Sequence, residues 1–356
     1  MNKIAVIGAG AIGSLVAAYL KLKNKDVVLI GTPESVKAIR EKGLQVSGAR
    51  GEFRVDIDVY PRLDKEYDLV ILAVKTQDLE KTLKENSEFL KTSLVLTTQN
   101  GVQADEISSR YIPKENIISS IVMFGATYLE PGKVIHNFEG NWVIGNMFDA
   151  KGKNPPSPPF EKGGIKGGFI NENKLEITAV LLNEVFPVTV AQDIRGMKFL
   201  KIFVNANNCI AAILGMSMQE AFRDLEVSRI SIAIWKEGLD IIKKSGINLV
   251  SLPDFPVERL SKLAEMPLDQ AAGIFSGIMA NLSKEPLYGS ILQSIKRGRL
   301  SEIDYINGEF VNLAAENSLK APLNEKLVEM VHEVEKTNRF FSKEELVSAV
   351  GLNNVS

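Results

Sequence analysis

Residues 3 to about 146 alternate short apolar runs with amphipathic stretches. Several of the runs are apolar at consecutive positions, which is typical of parallel strands buried on both faces, and the stretches between them have helical spacing. This βαβ alternation predicts an α/β, Rossmann-type doubly wound domain. The predicted strands are Ile4–Ile7, Val27–Ile30, Leu69–Val74, Leu94–Thr98 and Ile117–Phe124, and the predicted helices are Ala11–Leu22, Ser35–Lys42 and Asp78–Leu90.

The pattern becomes less regular and then stops. Gly132–His136 and Asn141–Ile144 predict a short antiparallel addition to the sheet. Residues 150–172, AKGKNPPSPPFEKGGIKGGFINE, contain four prolines and five glycines and have no period that could bury a face. This composition favours an insertion or linker, with a Pro-rich recognition segment as the alternative.

From Lys174 onward the chain is mostly helical, and we expect an all-α second domain. A helix–strand pair, Asn173–Leu182 and Phe186–Val190, precedes a series of helices. Gly215, Gly246 and Gly298 stand at expected helix C-termini, and Pro322 is expected to close another helix. The predicted helices are Met197–Leu214, Leu225–Ser245, Pro256–Glu265, Leu287–Lys296, Ser301–Asn317 and Asn324–Lys336. The expected domains are therefore residues 1–149 and 173–345, separated by 150–172.

Composition limits the chemistry that the chain can perform. It has 42 Lys and Arg against 44 Asp and Glu, so nothing in its charge predicts a nucleic acid or an anionic membrane as partner. A single cysteine excludes an internal disulfide and a Cys-rich zinc site, and His136 and His332 share no ligand-like spacing. We therefore expect no metal site, and we expect acid–base chemistry to fall to Lys, Glu or Asp.

The sequence predicts neither an export signal nor a membrane span. Its first apolar run, Ile4–Ile7, is interrupted by glycines, and no stretch reaches about 18 apolar residues. A cytoplasmic location is the resulting expectation.

A glycine-rich loop follows the first predicted strand. Gly8-Ala9-Gly10-Ala11-Ile12-Gly13 has the G-x-G-x-x-G pattern and opens the first predicted helix. Glycines there allow a tight turn and let backbone N–H groups meet a pyrophosphate at the helix N-terminus. The loop therefore predicts a dinucleotide-binding site.

The end of the second strand indicates which dinucleotide binds. An acidic residue there would bind the ribose 2′-hydroxyl of NAD, and a basic one would accept the 2′-phosphate of NADP. The strand ends in Thr32 without an acid, which favours NADP, and Thr32, Lys37 or Arg40 could donate hydrogen bonds to the phosphate. Glu34 lies nearby and keeps NAD open.

Two further predicted strands end in polar residues. Lys75 follows one and Asn100 the next, and ligands of open α/β sheets bind beyond the carboxyl ends of the strands. Lys75 could bind a phosphate, and Asn100 could offer its amide to ribose or substrate. Solvent-facing loop residues are the alternative for both.

The first long helix of the second domain carries a polar stripe. Lys201 and Asn205 are four residues apart on one helical face, and Asn208 and Cys209 continue the stripe. Polar groups on an otherwise apolar helix are costly unless they face a wet cavity or a partner. The stripe thus marks a candidate catalytic face, with a solvated helix edge as the alternative and Lys198 as the rival lysine.

A second polar group lies in the segment SILQSIKRGRLSEIDYING. Ser290, Ser294 and Arg297 share a face, and Ser301 with Asp304 resembles a capping box for the next helix. Glu302 would then occupy the first helical position. From the residues alone, a carboxylate that favours the helix dipole explains Glu302.

Taken together, the segments GAGAIG, AVKTQ, QNGV, the Lys-x-x-x-Asn helix and SEIDYING resemble the ketopantoate reductase family. These enzymes are the NADPH-dependent 2-dehydropantoate 2-reductases of pantothenate synthesis. The resemblance covers the chain apart from residues 150–172. It implies an NADPH-dependent reductase that converts 2-dehydropantoate to (R)-pantoate, and a homodimer.

The resemblance also implies roles for individual residues. Gly8, Ala9, Gly10, Ala11, Ile12 and Gly13 would hold the pyrophosphate, and Lys75, Asn100 and Ala126 would line the cofactor. Lys201 matches the catalytic lysine that protonates the carbonyl oxygen, and Glu302 matches a glutamate that orients cofactor or substrate. Ser290 matches a ligand of the substrate carboxylate. Asn205 and Asn100 match substrate-side amides.

Four positions depart from the family pattern. Cys209 stands where family members commonly have an asparagine that binds substrate, although Asn208 is placed to substitute for it. Leu287 and Gln219 differ from other amide-bearing positions, and Thr32 replaces a frequent arginine. The departures at Cys209, Leu287 and Gln219 keep open a reductase of another branched 2-oxo acid. A nucleotide-binding regulator without catalysis is a separate alternative, which is disfavoured because Lys201, Asn205, Ser290 and Glu302 are all present.

Overall fold

The computed structural model describes residues 3–148, 170–283 and 285–351. The chain folds into two compact units. The first consists of Met1–Gln99 with Gln103–Arg195, and the second of Asn100–Val102 with Gly196–Ser356. Residues 150–169, most of the predicted insertion, lie outside the described residues.

In the described residues the first unit has twelve strands, five α-helices and a 3-10 helix at Lys114–Asn116. The strands are β1 (Lys3–Ile7), β2 (Asp26–Ile30), β3 (Leu44–Gly48), β4 (Phe53–Val55), β5 (Asp58–Tyr60), β6 (Leu69–Leu72), β7 (Leu94–Thr97), β8 (Ile117–Val122), β9 (Gly125–Glu130), β10 (Lys133–Phe138), β11 (Trp142–Gly145) and β12 (Val188–Val190). The helices are α1 (Ala11–Leu22), α2 (Pro33–Lys42), α3 (Thr76–Leu90), α4 (Gln103–Ser109) and α5 (Ile170–Leu182).

The main sheet has the order β12-β11-β8-β7-β6-β1-β2-β5. Its six strands from β8 to β5 are parallel and follow the order 3-2-1-4-5-6 of a Rossmann fold. In β1, Ile4 and Val6 join one buried cluster while Ala5 and Ile7 join another, since successive side chains point to opposite faces. Burial on both faces explains the continuous apolar runs, and the predicted doubly wound domain is confirmed.

A second sheet, β4-β3-β10-β9, was not predicted. The two segments of the predicted antiparallel addition therefore separate: β10 joins this second sheet, antiparallel to β9 and parallel to β3, whereas β11 pairs antiparallel with β8 in the main sheet. Helix α1 packs on β9 and β10, where Tyr19 Oη lies 2.8 Å from His136 Nδ1. His136 is therefore a buried structural residue.

The predicted boundary at residues 172/173 is wrong for the compact units. Strand β12 pairs in parallel with β11, and α5 packs against both strands. These contacts place the helix–strand pair in the first unit, and the boundary falls after Arg195. The helical pattern of residues 173–182 could not reveal this, because it does not show that α5 packs against the main sheet of the first unit.

The second unit is helical in the residues described, which confirms the all-α expectation. Apart from a 3-10 helix at Ile303–Tyr305, its helices are α6 (Ile194–Ala206), α7 (Asn208–Leu214), α8 (Met218–Phe222), α9 (Leu225–Lys244), α10 (Val257–Glu265), α11 (Leu268–Ala280), α12 (Ser290–Ile295), α13 (Asn307–Glu316), α14 (Pro322–Thr337) and α15 (Lys343–Val350). Helix α6 begins at the boundary between the units, and α15 extends past the predicted end at residue 345.

Helix ends differ from the predictions at two places and agree at a third. Asn207 interrupts the predicted Met197–Leu214 helix and separates α6 from α7. Pro322 begins α14 instead of closing a helix, because proline suits the first turn, where an N–H has no partner. Gly215 has φ 70° and ends α7 as predicted.

One apolar stretch is long enough to cross a membrane among the residues described. Ile194–Leu214, which spans α6 and α7, passes on length and composition, but 78% of its most apolar window is buried inside the protein. Burial of this kind is typical of a core helix.

Candidate active site

The glycine-rich loop has the geometry of a nucleotide-binding turn. Gly8 has φ +119°, and a Cβ there would lie 2.6 Å from the carbonyl carbon of Ala73. A Cβ on Gly13 would lie 1.9 Å from the carbonyl oxygen of Gly8. Both positions therefore require glycine for the fold itself. Gly10 differs, because a Cβ there would meet no atom within 4 Å.

The open side of this loop suits an anion. Gly10 is the N-cap of α1 and makes no side-chain capping hydrogen bond, and the first turn of α1 has no acidic residue. The first N–H groups of a helix have no partner within the helix and favour negative charge. A pyrophosphate therefore fits this terminus.

Residues after β2 have mainly structural contacts. Thr32 is the N-cap of α2, and its Oγ1 accepts a hydrogen bond from Ser35 N at 3.3 Å. The Arg40 guanidinium donates to the carbonyl oxygen of Val59 at 2.9 Å. Lys37 is exposed and remains a possible donor to a 2′-phosphate.

Gly31, which sequence reasoning missed, lies where β2 ends. A Cβ on Gly31 would lie 2.7 Å from the Cβ of Ala9. The tip of β2 thus approaches the glycine loop closely, and the position needs glycine for that reason.

Lys75 and Ala126 also belong to the first unit. Lys75 is the half-buried N-cap of α3, directly after the segment that follows β6. Ala126 lies in β9 and packs, as Ala11 and Ile12 do, against the same apolar cluster. The predicted cofactor residues of the first unit are thus placed around α1 and the carboxyl end of the sheet.

Gln99 is a second residue that sequence reasoning passed over. It is buried, and its Nε2 donates to the carbonyl oxygens of Leu72 and Val74 at 2.9 and 2.8 Å. Gln99 therefore fixes the end of β7 against the chain that leaves β6. Its position between a strand end and Asn100 was the available signal.

In the second unit, three predicted site residues form a hydrogen-bonded chain. Asn205 Nδ2 donates to Asn100 Oδ1 at 3.0 Å, and Asn100 Nδ2 donates to Glu302 Oε2 at 3.4 Å. Asn100 and Asn205 are 105 residues apart in sequence. The structure thus unites two residues predicted from patterns with one that resemblance supplied.

The backbone after Asn100 is packed closely. Gly101 has φ +79°, and a Cβ there would lie 2.3 Å from the carbonyl oxygen of Tyr305. Val102 N donates to Glu309 Oε1 at 3.4 Å. These contacts hold the Asn100 backbone beside the segment that carries Glu302, and Gly101 and Glu309 are supporting residues that the sequence did not reveal.

Lys201 lies one helical turn before Asn205 on α6, so the two side chains share a face. It is mostly buried, and within the described part of the chain it makes no hydrogen bond or ion pair. Burial lowers the pKa of Lys201 from its ordinary 10.5 to about 8. A buried ammonium without a counter-charge is costly, and such groups cluster at functional sites.

The rival lysine has a different environment. Lys198 is 2% exposed and, unlike Lys201, has an interaction partner in the structure. Lys201 is therefore the better candidate for a proton donor.

Glu302 does not occupy the first helical position that the sequence predicted. It precedes the 3-10 helix Ile303–Tyr305, and α13 begins only at Asn307. Asp304 makes no capping box with Ser301, since its Oδ1 lies 2.9 Å from His332 Nε2. The helix-dipole explanation of Glu302 therefore loses its basis.

Ser290 is the first residue of α12 and is exposed. Gly289, directly before it, leaves space for Asn208, because a Cβ on Gly289 would lie 3.0 Å from Asn208 Cγ. The structure thus brings Asn208 and the start of α12 together. It gives no direct contact between them and the Asn100 chain.

Comparison with known proteins identifies the family. The family described as Ketopantoate reductase PanE/ApbA matches residues 4–148, and its C-terminal counterpart matches residues 193–335. The chain belongs to the ketopantoate reductase family. The two matched regions cover most of the two compact units.

Relatives in the ketopantoate reductase family match along nearly their whole length. The 2-dehydropantoate 2-reductase of Archaeoglobus fulgidus is 26% identical over 338 residues, which are 94% of this chain and 98% of the relative. That of Pyrococcus horikoshii is 30% identical over 326 residues, which are 90% and 94%.

Solved structures show the same fold. A ternary structure of D-mandelate dehydrogenase with NADH and anilino(oxo)acetate has a TM-score of 0.77 at 25% identity, covering 94% of this chain and 99% of that one. A PanE/ApbA family ketopantoate reductase from Ralstonia eutropha JMP134 has a TM-score of 0.73 at 22% identity, covering 94% and 98%.

Two departures from the ketopantoate reductase pattern have structural explanations. Cys209 is 0% exposed, and burial raises the pKa of its thiol to about 12, so it is a core residue of α7. Gln219 donates to the carbonyl oxygens of Ser283 and Glu285 and accepts from Leu287 N at 2.9 Å. Neither side chain is available as a substrate ligand in this arrangement.

Proposed function

We propose that this chain reduces 2-dehydropantoate to (R)-pantoate with NADPH. The observation that carries the proposal is Lys201, a mostly buried lysine without a described polar partner, one turn from the Asn205–Asn100–Glu302 chain. The choice of substrate rests on the relatives named 2-dehydropantoate 2-reductase, which match over about 90% or more of the chain.

A nicotinamide cofactor fits the glycine loop, where Gly10 leaves the α1 N-terminus open. The backbone from Gly8 to Gly13 would hold its pyrophosphate, with Lys75, Asn100 and Ala126 as lining residues. When bound, NADPH supplies the hydride that reduces C2 of the oxo acid. The lack of an acid at the tip of β2 and the exposed Lys37 support NADPH over NADH.

Lys201 is the proposed general acid. Its Nζ donates a proton to the carbonyl oxygen as C2 is reduced, which stabilises the developing alkoxide, and water then reprotonates it. A pKa of about 8 leaves the amine mostly protonated at neutral pH yet able to release its proton readily. Because no described side chain pairs with the ammonium, its hydrogen bonds remain available for substrate.

The remaining residues orient the substrate. The Asn100 amide accepts a hydrogen bond from Asn205 and donates one to Glu302. These two bonds fix the orientation of the Asn100 side chain toward the substrate. We propose that Glu302 accepts a hydrogen bond from a substrate hydroxyl, that Asn205, Asn100 and Asn208 supply amides, and that Ser290 binds the substrate carboxylate.

The proposal is tested by initial rates of NADPH oxidation with 2-dehydropantoate, repeated with NADH. We expect turnover that depends on the oxo acid and a higher kcat/KM with NADPH. Lys201→Ala is the background control and should bind NADPH normally. Absence of oxo-acid-dependent oxidation in the wild-type protein would refute the proposed function.

A reductase of another branched 2-oxo acid is the second candidate. It is favoured by the likeness to D-mandelate dehydrogenase and by Cys209, which buries a thiol where family members commonly have a substrate amide. A panel of 2-oxo acids assayed with both cofactors separates the candidates. Robust turnover of any of them also eliminates a non-catalytic nucleotide-binding regulator.

The proposal includes a homodimer and a cytoplasmic location. Ile274, Ile278 and Leu282 are exposed and follow each other at four-residue intervals along α11 and just beyond it. An apolar stripe of this kind supports self-association. Sedimentation analysis should give a dimer for the wild-type protein and a monomer for Ile278→Asp, and cell fractionation tests the location.

A further inference from the structure

Glu302 is bracketed by two anchors that come from one helix. On one side, Ser301 N donates to Glu335 Oε1 at 2.7 Å. On the other, Asp304 Oδ1 lies 2.9 Å from His332 Nε2. His332 and Glu335 are both on α14, and His332 Nδ1 lies 3.0 Å from Glu335 Oε2. We call this closed set, Ser301–Glu335–His332–Asp304, the α14 clamp.

The clamp requires a doubly protonated imidazole. Ionised carboxylates only accept hydrogen bonds, so both ring nitrogens of His332 must carry hydrogen to bond Glu335 and Asp304 together. Burial lowers the pKa of His332, but the hydrogen bonds and charges of Glu335 and Asp304 outweigh it and raise the pKa above 6.5. The Glu335 side chain is only 4% exposed, which strengthens its charge-assisted bond to Ser301.

The segment between the anchors has little regular structure of its own. Glu302 is followed by a three-residue 3-10 helix, and α13 starts at Asn307. A short 3-10 helix has weak hydrogen-bond geometry, so it cannot hold the segment as a long helix would. The contacts to α14 therefore help to fix where the Glu302 backbone lies, together with the burial of Ile303 and the close approach of Gly101 to Tyr305.

We propose that Glu335 and His332 are positioning residues, which act on the reaction by holding Glu302 against Asn100. This inference rests on the proposed function. The Asn100–Glu302 hydrogen bond is already 3.4 Å long, so a displacement well below 1 Å would break it. Loss of orientation of this size lowers turnover even when the displaced group is intact.

The test measures kcat and KM for the oxo acid, with kcat expressed per NADPH-binding site so that unfolded protein does not count. We expect Glu335→Ala to lower kcat about 10-fold or more while the Kd for NADPH changes less than about 2-fold. Glu335→Gln keeps an acceptor for Ser301 N and should recover most of the activity. Glu329→Ala removes an exposed carboxylate of the same helix and serves as the matched control.

Two further measurements make the result decisive. In a Glu302→Ala background, Glu335→Ala should cause no additional loss, because its effect passes through Glu302. If Glu335→Ala fails to fold, His332→Ala provides the test instead, because His332 is half-exposed and should tolerate truncation. We expect His332→Ala to lower kcat about 3-fold or more. If kcat per site is unchanged in Glu335→Ala, or if its loss adds to that of Glu302→Ala, the inference about Glu335 and His332 is wrong while the proposed function stands. A wild-type protein inactive on every 2-oxo acid overturns the proposed function with it.

Discussion

Replacing Lys201 by methionine should make the protein more stable and nearly inactive. Methionine has about the same length and flexibility as lysine and carries no charge. Lys201 is mostly buried and has no polar partner among the described residues, so the replacement breaks no hydrogen bond that holds the fold together. A lysine with a purely structural role would give the opposite change in stability.

The size of the gain follows from the pKa of Lys201. The ordinary value of 10.5 falls to about 8 in the folded protein, and one pKa unit corresponds to about 1.4 kcal/mol. Burying the Lys201 ammonium therefore lowers the free energy of unfolding at pH 7 by about 3 kcal/mol. Between pH 8 and 10.5 the unfolded chain binds more protons, and wild-type stability therefore rises with pH. The advantage of Lys201→Met should be full below pH 8 and vanish above about pH 10.5.

The assay is urea unfolding of both proteins at pH 7 and at pH 10.5, combined with turnover at pH 7. We expect kcat to fall by about 10² to 10⁴, the usual contribution of a general acid. Lys236→Met is the matched control, since Lys236 Nζ donates to the carbonyl oxygen of Met266 at 2.9 Å. It should lose about 1 kcal/mol and keep its activity. A destabilised Lys201→Met, or a stability difference independent of pH, would refute the reasoning.

Three other predictions follow from the site. The reduction rate should fall about tenfold per pH unit above about pH 8, as Lys201 loses its proton, and a profile flat to pH 10 would exclude it as the acid. Gly13→Ala should lower Tm and weaken NADPH binding, because its Cβ meets the carbonyl oxygen of Gly8, whereas Gly10→Ala should weaken NADPH binding with Tm unchanged. Gln219→Ala should cost about 2–3 kcal/mol in urea unfolding, because three partly buried hydrogen bonds to the loop before α12 are lost, with the Kd for NADPH unaffected.

The sequence predicts the main sheet well because each of its central strands is buried on both faces. That burial produces runs such as Leu69–Leu72, which are recognisable without any knowledge of their neighbours. The second sheet escapes the same reasoning. Its strand β4 has three residues, and β3 finds its parallel partner β10 about 90 residues later in the chain. Short strands with distant partners leave no local period to read.

The candidate site shows the same division. Helical spacing is sufficient to place Lys201 and Asn205 on one face, because the geometry is local. The contact between Asn205 and Asn100 joins positions 105 residues apart, and no local pattern encodes it. Cys209 shows the limit of the helical stripe, since it lies beyond the interruption at Asn207 and its thiol is fully buried.

The segment Asn100–Val102 limits how this protein can be cut into separate fragments. These three residues group with the helical unit, although the chain on both sides of them belongs to the other unit. A fragment beginning at Gly196 would retain Lys201, Asn205 and Glu302 and lack Asn100. The helical fragment by itself therefore cannot form the Asn205–Asn100–Glu302 chain, and Asn100 would have to come from the other fragment. Evolution by exchange of whole domains faces the same obstacle, because a new nucleotide-binding partner must also bring its own asparagine.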